Sequence, residues 1–203
     1  MMTMLKAGAG LKAAAGLATL TLVLASCGVS SNTPDNSLNI NLPTVKTEFF
    51  DASKGRYVVC ANLSTGSVGN QVRVSVNANG ALDSLRIKLV GQTSTRYGSD
   101  YDQSFSEAGL NNTDGRYSGV FDQPAVTNGD NQILPQAIIV KPVLRNVKQV
   151  STSEADRVAN GSGGFYATVI GYSTTGQMTN TLLTVAVPSY AFCTFQIDTG
   201  EPI

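Results

Sequence analysis

The sequence predicts an all-β fold, an antiparallel sandwich, and three observations predict it. Apolar residues recur at a period of two, as in Val72, Val74 and Val76 against Arg73, Ser75 and Asn77, and again in Leu85, Ile87 and Leu89 against Arg86 and Lys88. No stretch beyond the first thirty residues sustains an i, i+3, i+4 stripe for three turns. Gly, Asn and Pro fall between the alternating runs, where turns need them. Many short strands punctuated in this way favour two packed sheets over a helix-covered sheet.

In chain order, residues 1–12 carry Lys6 and Lys12 and no acid, and an uncharged apolar run follows from Ala13 to Ala25. This is the n-region and h-region order of an export signal. Thirteen residues are too few for the roughly 20 that a bilayer-spanning helix needs. Next stands Leu24-Ala25-Ser26-Cys27-Gly28, which resembles the lipobox of bacterial lipoproteins. The resemblance implies that residues 1–26 are removed and that Cys27 becomes the first residue, carrying diacylglycerol on sulfur and an acyl chain on its amine. It further implies a bacterial cell-envelope location, with the membrane as a partner through the N-terminal lipid. Gly28 rather than aspartate after the cysteine points to the outer membrane where the host has two. An ordinary signal peptide with a chance cysteine is the alternative.

Residues 28–44, rich in Ser, Asn, Thr and Pro, read as a flexible tether that would hold the domain about 20–25 Å from the lipid. The expected divisions are therefore 1–26 signal, 27–44 lipidated cysteine and tether, and 45–203 sandwich. Without Lys6 and Lys12, 12 bases remain against 14 acids, a net charge of −2. The bases are scattered singly, so no basic patch recommends nucleic acid as a partner.

Within the domain, strands are expected at residues 57–63, 72–76, 85–89, 116–121, 136–144, 164–172, 181–187 and 190–197, with Asn79-Gly80 turning the second into the third as a hairpin. Residues 151–159 offer one helical turn at most. The run from Gly164 to Val187, GFYATVIGYSTTGQMTNTLLTVAV, resembles the closing hairpin of bacterial immunoglobulin-like domains. Tyr166 takes the place of the strand tyrosine and Gly176 that of the turn glycine, whereas Tyr172-Ser173 and Gln177 depart from the usual Asp and Asn. The resemblance implies an Ig-like sandwich. The strand at 190–197 continues past the usual end, so an added C-terminal edge strand is expected.

Once Cys27 is lipidated, Cys60 and Cys193 form an even pair in an exported chain, where disulfides persist. Both lie in apolar strand contexts, so a bridge between the first and last strands is expected; two buried free thiols are the alternative. Redox chemistry would want a C-x-x-C spacing that neither has.

The chain has no histidine, which removes Ser-His-Asp and Cys-His catalysis and histidine-ligated metals. No Rossmann fingerprint or P-loop occurs, and the acidic, amide-rich loops lack EF-hand spacing, so no cofactor or metal is expected. Asx turns explain those loops as well as calcium does. Of the carboxylates, Asp100 and Asp102 share one strand face or one loop tip and are the candidates for a hydrolase. Tyr97, Asp100, Tyr101, Asp102 and Tyr117 stand in a polar stretch, 91–131, and form a candidate binding loop, although core packing accounts for such aromatics too. The resulting expectation is a non-enzymatic envelope lipoprotein that binds or supports another envelope protein or a surface polymer. The alternatives are an accessory subunit of a secretion, pilus or surface-layer assembly, and a carboxylate-dependent hydrolase.

Overall fold

The computed structural model describes residues 37–92, 101–123, 137–138, 143–157 and 163–203, and every structural statement below concerns them. Cys27, Tyr97 and Asp100 lie outside the described residues. Fourteen strands run in chain order: β1 (Asn39–Thr47), β2 (Phe49–Asp51), β3 (Arg56–Leu63), β4 (Gly66–Ser67), β5 (Asn70–Asn79), β6 (Leu82–Gly91) and β7 (Tyr101–Ser106) are followed by β8 (Asn111–Thr113), β9 (Arg116–Gln123), β10 (Ala137–Ile138), β11 (Asn146–Ser151), β12 (Gly164–Ser173), β13 (Leu182–Leu183) and β14 (Val187–Pro202). Two single-turn 3-10 segments, Glu107–Gly109 and Glu154–Asp156, interrupt them. The second is the one turn expected in 151–159, capped by the Ser153 hydroxyl accepting from the Ala155 amide.

The fold is an all-β, sandwich-like pair of sheets. The smaller has the order β1-β5-β9-β10, with β8 on β9; the larger runs β4-β3-β2-β11-β14-β12-β6-β7, with β13 on β12. Val72, Val74 and Val76 of β5, Phe121 of β9 and Ile40 of β1 pack against Leu85, Ile87 and Leu89 of β6, Phe105 of β7 and Ala167 and Val169 of β12. The period-two residues thus do face a core, but β5 and β6 do not form the expected hairpin. They belong to opposite sheets, and Asn79-Gly80 is the corner between layers. Gly80 takes φ +103°, and a Cβ there would stand 2.5 Å from the Ser37 carbonyl oxygen, so only glycine fits the corner.

Three further expectations are corrected. The domain starts before Val45: β1 begins at Asn39, because Leu38 and Ile40 pack on the main core and recruit the end of the expected tether. The larger sheet is mixed rather than antiparallel, since β2 runs parallel to β11 and β3 parallel to β14. The C-terminal strand is no edge: β14 spans 16 residues and lies inside the large sheet, pairing with β11, β3 and β12. The hairpin at 164–187 forms, with Gly176 at φ +81° in its turn, but β13 holds only Leu182 and Leu183 against β12, whose long partner is β6.

Strand β3 is buried on both faces. Val59 points to the main core, while Val58 and Cys60 join Phe49, Leu63, Val150, Tyr190 and Cys193 in a second, smaller core. There Cys60 and Cys193 are bonded as expected, with Cα atoms 5.9 Å apart, but the bond staples the third strand, β3, rather than the first, to β14. At the corner between β1 and β2 the buried Glu48 carboxylate is held by Arg145, 3.0 Å away, and by Lys148, and Arg145 also reaches Asp122 of β9 at 2.9 Å. This ionic clasp joins the small sheet to the large one.

Candidate functional site

The expected binding residues that can be placed do not make a loop. Tyr101 and Asp102 belong to β7 and Tyr117 to β9. Asp102 receives Nε and Nη2 of Arg86 at 2.7 and 2.5 Å across the β6–β7 pair. The Arg86 hydrogen bonds hold its carboxyl below the ordinary aspartate range, outweighing the effect of partial burial. A carboxylate so paired stays ionised and is a poor general acid. Tyr117 is half-buried and packs against the main core, the outcome that alternating strand residues also allowed.

A polar cluster that the sequence reading passed over gathers at one end of β2 and β3. In Asp51-Ala52-Ser53-Lys54-Gly55, Asp51 is fully buried, and its Oδ1 accepts from the Ser53 amide (3.1 Å), the Ser53 hydroxyl (2.6 Å) and the Lys54 amide (3.2 Å). The Thr152 hydroxyl donates to Oδ2. Burial alone would raise the Asp51 carboxyl; these donors, helped by the Lys54 charge, hold it below its usual value instead. Lys54 reaches Glu154 at 3.2 Å, and the Tyr190 hydroxyl donates to Glu154 (2.9 Å) while accepting from Arg56 (2.6 Å). Hydrogen bonds from Tyr190 and Lys54 pull the Glu154 carboxyl down. Burial works to lower the Lys54 ammonium, but Glu154 and Tyr190 more than offset it and raise it. The set pairs donors with acceptors across β2, β3, β14 and the Glu154 turn. Its chemistry is that of a clasp. The D-x-S-K-G run was its one visible signal, since an aspartate two residues before a serine is an Asx-turn signature.

The described residues also form an apolar groove. It has a volume of about 250 Å³ and is lined by Pro43–Val45 of β1, by Val185–Val187, and by Arg56 and Tyr57 of β3. Two exposed apolar side chains, Leu42 at 64% and Val185 at 86% of full exposure, lie beside it or on its wall. Leu42 owes its outward position to an irregularity in β1 between Asn41 and Thr44, where it takes φ +49° ahead of Pro43. No cluster of three or more potential metal-ligating His, Cys, Asp or Glu side chains occurs among the described residues, and no described helix is long and apolar enough to cross a membrane.

The class defined by the fold is an all-β, disulfide-stapled sandwich-like domain. Comparison with protein-family models, curated proteins and solved structures found no match.

Proposed function

We propose that the chain is a lipid-anchored protein of the bacterial cell envelope whose sandwich serves as a non-catalytic binding or structural module. The observation that carries this reading is the partition of the three cysteines. Cys60 and Cys193 are consumed in a bond buried between β3 and β14, which suits an oxidising compartment. The cysteine left over is Cys27, directly after Leu24-Ala25-Ser26. A chain that exports its domain and keeps one thiol at the end of an apolar run has the chemistry lipidation requires, and two or more acyl chains bind a membrane far more tightly than one. The non-catalytic part rests on the chain having no histidine, on Asp102 being tied to Arg86, and on the buried polar groups acting as clasps.

Replacing Cys27 by Ser tests the reading. Wild-type protein should incorporate labelled palmitate and sediment with membranes, whereas Cys27→Ser should incorporate none and either leave the membrane fraction or accumulate unprocessed. Equal labelling of both proteins would overturn the proposal.

A further inference from the structure

The groove is one part of a longer apolar seam where the two sheets meet at an open edge. A Cβ on Gly171 would lie 3.1 Å from both Ile40 Cγ2 and Leu38 Cδ2 and 3.3 Å from Thr179 Cγ2, so the start of β1 lies beside residue 179. Further along, Pro43–Val45 and Val185–Val187 line the same groove. The segment 178–187 therefore runs beside β1 in the same direction. Along it the exposed apolar side chains are Met178 (66%), Leu183 (62%) and Val185, with Leu42 on the β1 side. Four of the seven exposed large apolar residues among those described thus belong to this segment or to β1 beside it. Such concentration marks a contact surface more often than chance scatter does.

We propose that this seam is the face with which the domain rests on the lipid surface to which Cys27 ties it; the inference builds on the lipid anchor proposed above. The length of chain outside the structure argues for lipid as the occupant. Nine residues, 28–36, stand between the anchored cysteine and Ser37, so ten Cα-to-Cα steps span at most about 35 Å. Leu42 follows Ser37 by only five residues, about 17 Å of strand. The anchor therefore enters the domain on the same strand that presents the seam. A short tether holds the two at millimolar effective concentration, so a face too small to bind membranes from solution suffices once attached. Exposed Lys46 on β1, and Arg116, whose guanidinium reaches the Thr44 hydroxyl, stand near this edge and complement anionic headgroups.

The chain has no tryptophan, so a single introduced one reports its own surroundings. The full lipidated chain carrying Val185→Trp, and a control carrying Phe192→Trp on β14, are reconstituted in vesicles of phosphatidylethanolamine and phosphatidylglycerol doped with bromo-acyl lipid. The reporter at 185 should be blue-shifted and quenched several-fold more strongly than the control, and adding Leu42→Asp should reduce its quenching to the control level. Equal quenching at both positions in protein whose Cys27 lipid is verified by mass spectrometry overturns the docking face and leaves the anchor standing. Absence of the lipid from that same sample overturns the anchor first, and the docking inference with it. Nanodiscs loaded with one protein each should retain the shift; its loss there means that a second copy, not lipid, covers the seam, and the inference fails.

Discussion

Removing the Cys60–Cys193 bond should take away much of the domain's stability. The bond spans 133 positions of sequence, and on the chain-entropy account closing so long a loop restricts the unfolded ensemble by about 5 kcal/mol. Changing both cysteines to Ala also deletes two fully buried sulfurs from the smaller core around Phe49, Val58 and Tyr190, which adds about 1–2 kcal/mol for the cavity left behind. The expected total of about 6 kcal/mol is comparable with the whole stability of many domains, about 5–15 kcal/mol. Urea unfolding of the full chain in mild detergent, followed by far-ultraviolet circular dichroism, should show the double variant with a much lower midpoint or already unfolded in buffer. Its slope should be steeper than the wild type's, because an uncrosslinked chain exposes more surface. Reductant should weaken the wild type and leave the variant unchanged. A loss below about 2 kcal/mol in the double variant would refute the loop-closure argument, since the cavity alone would then account for it.

Other perturbations separate the clasps, the core and the surface. Asp51, Asp102 and Glu154 all bind protons more weakly in the folded chain than in the unfolded one; their stabilisation is present above the ordinary carboxylate values and is lost as pH falls through and below them, so an acid titration followed by circular dichroism should show unfolding setting in below about pH 4. Asp51→Ala, which strands the Ser53, Lys54 and Thr152 donors, should cost about 3 kcal/mol in a urea melt and flatten that acid limb. Gly119→Ala should destabilise by about 1–3 kcal/mol in the same assay, because the new Cβ would lie 2.8 Å from Ile87 Cδ1 and 3.0 Å from Phe105 Cε2. Tyr117→Ala should lower stability by about 2 kcal/mol, whereas Asp102→Ala, which removes a partly exposed ion pair with Arg86, should cost less than about 1 kcal/mol, and the reverse ranking would show that Tyr117 stands free of the core.

The contrast between Tyr117 and Asp102 also marks where sequence reasoning stops. Alternation states which residues share a face, and so Val72, Val74, Val76, Leu85, Ile87 and Leu89 could be assigned to a core in advance. It does not state which strands exchange hydrogen bonds. A hairpin and a corner between sheets present the same two apolar runs around Asn79-Gly80, and the approach of the Ser37 carbonyl that decides between them is a contact between positions 43 residues apart. The interior position of β14 was hidden for a related reason: Val187 to Pro202 alternates weakly because different parts of it face different partners. Cys60 and Cys193, by contrast, could be paired because only two cysteines remained after Cys27 was set aside. The Asp51 cluster draws on residues as far apart as 51 and 190, so only its Asx turn was local enough to be visible.

The central claim, that the domain is held to an envelope membrane through Cys27, is tested most directly by mass spectrometry of the protein extracted by detergent from the membranes of a bacterial host that lipidates its exported proteins. The account predicts that the N-terminal peptide begins at Cys27 and carries diacylglycerol on sulfur and an acyl chain on its amine. A chain that begins elsewhere, or one whose Cys27 is recovered as a free thiol, would contradict it.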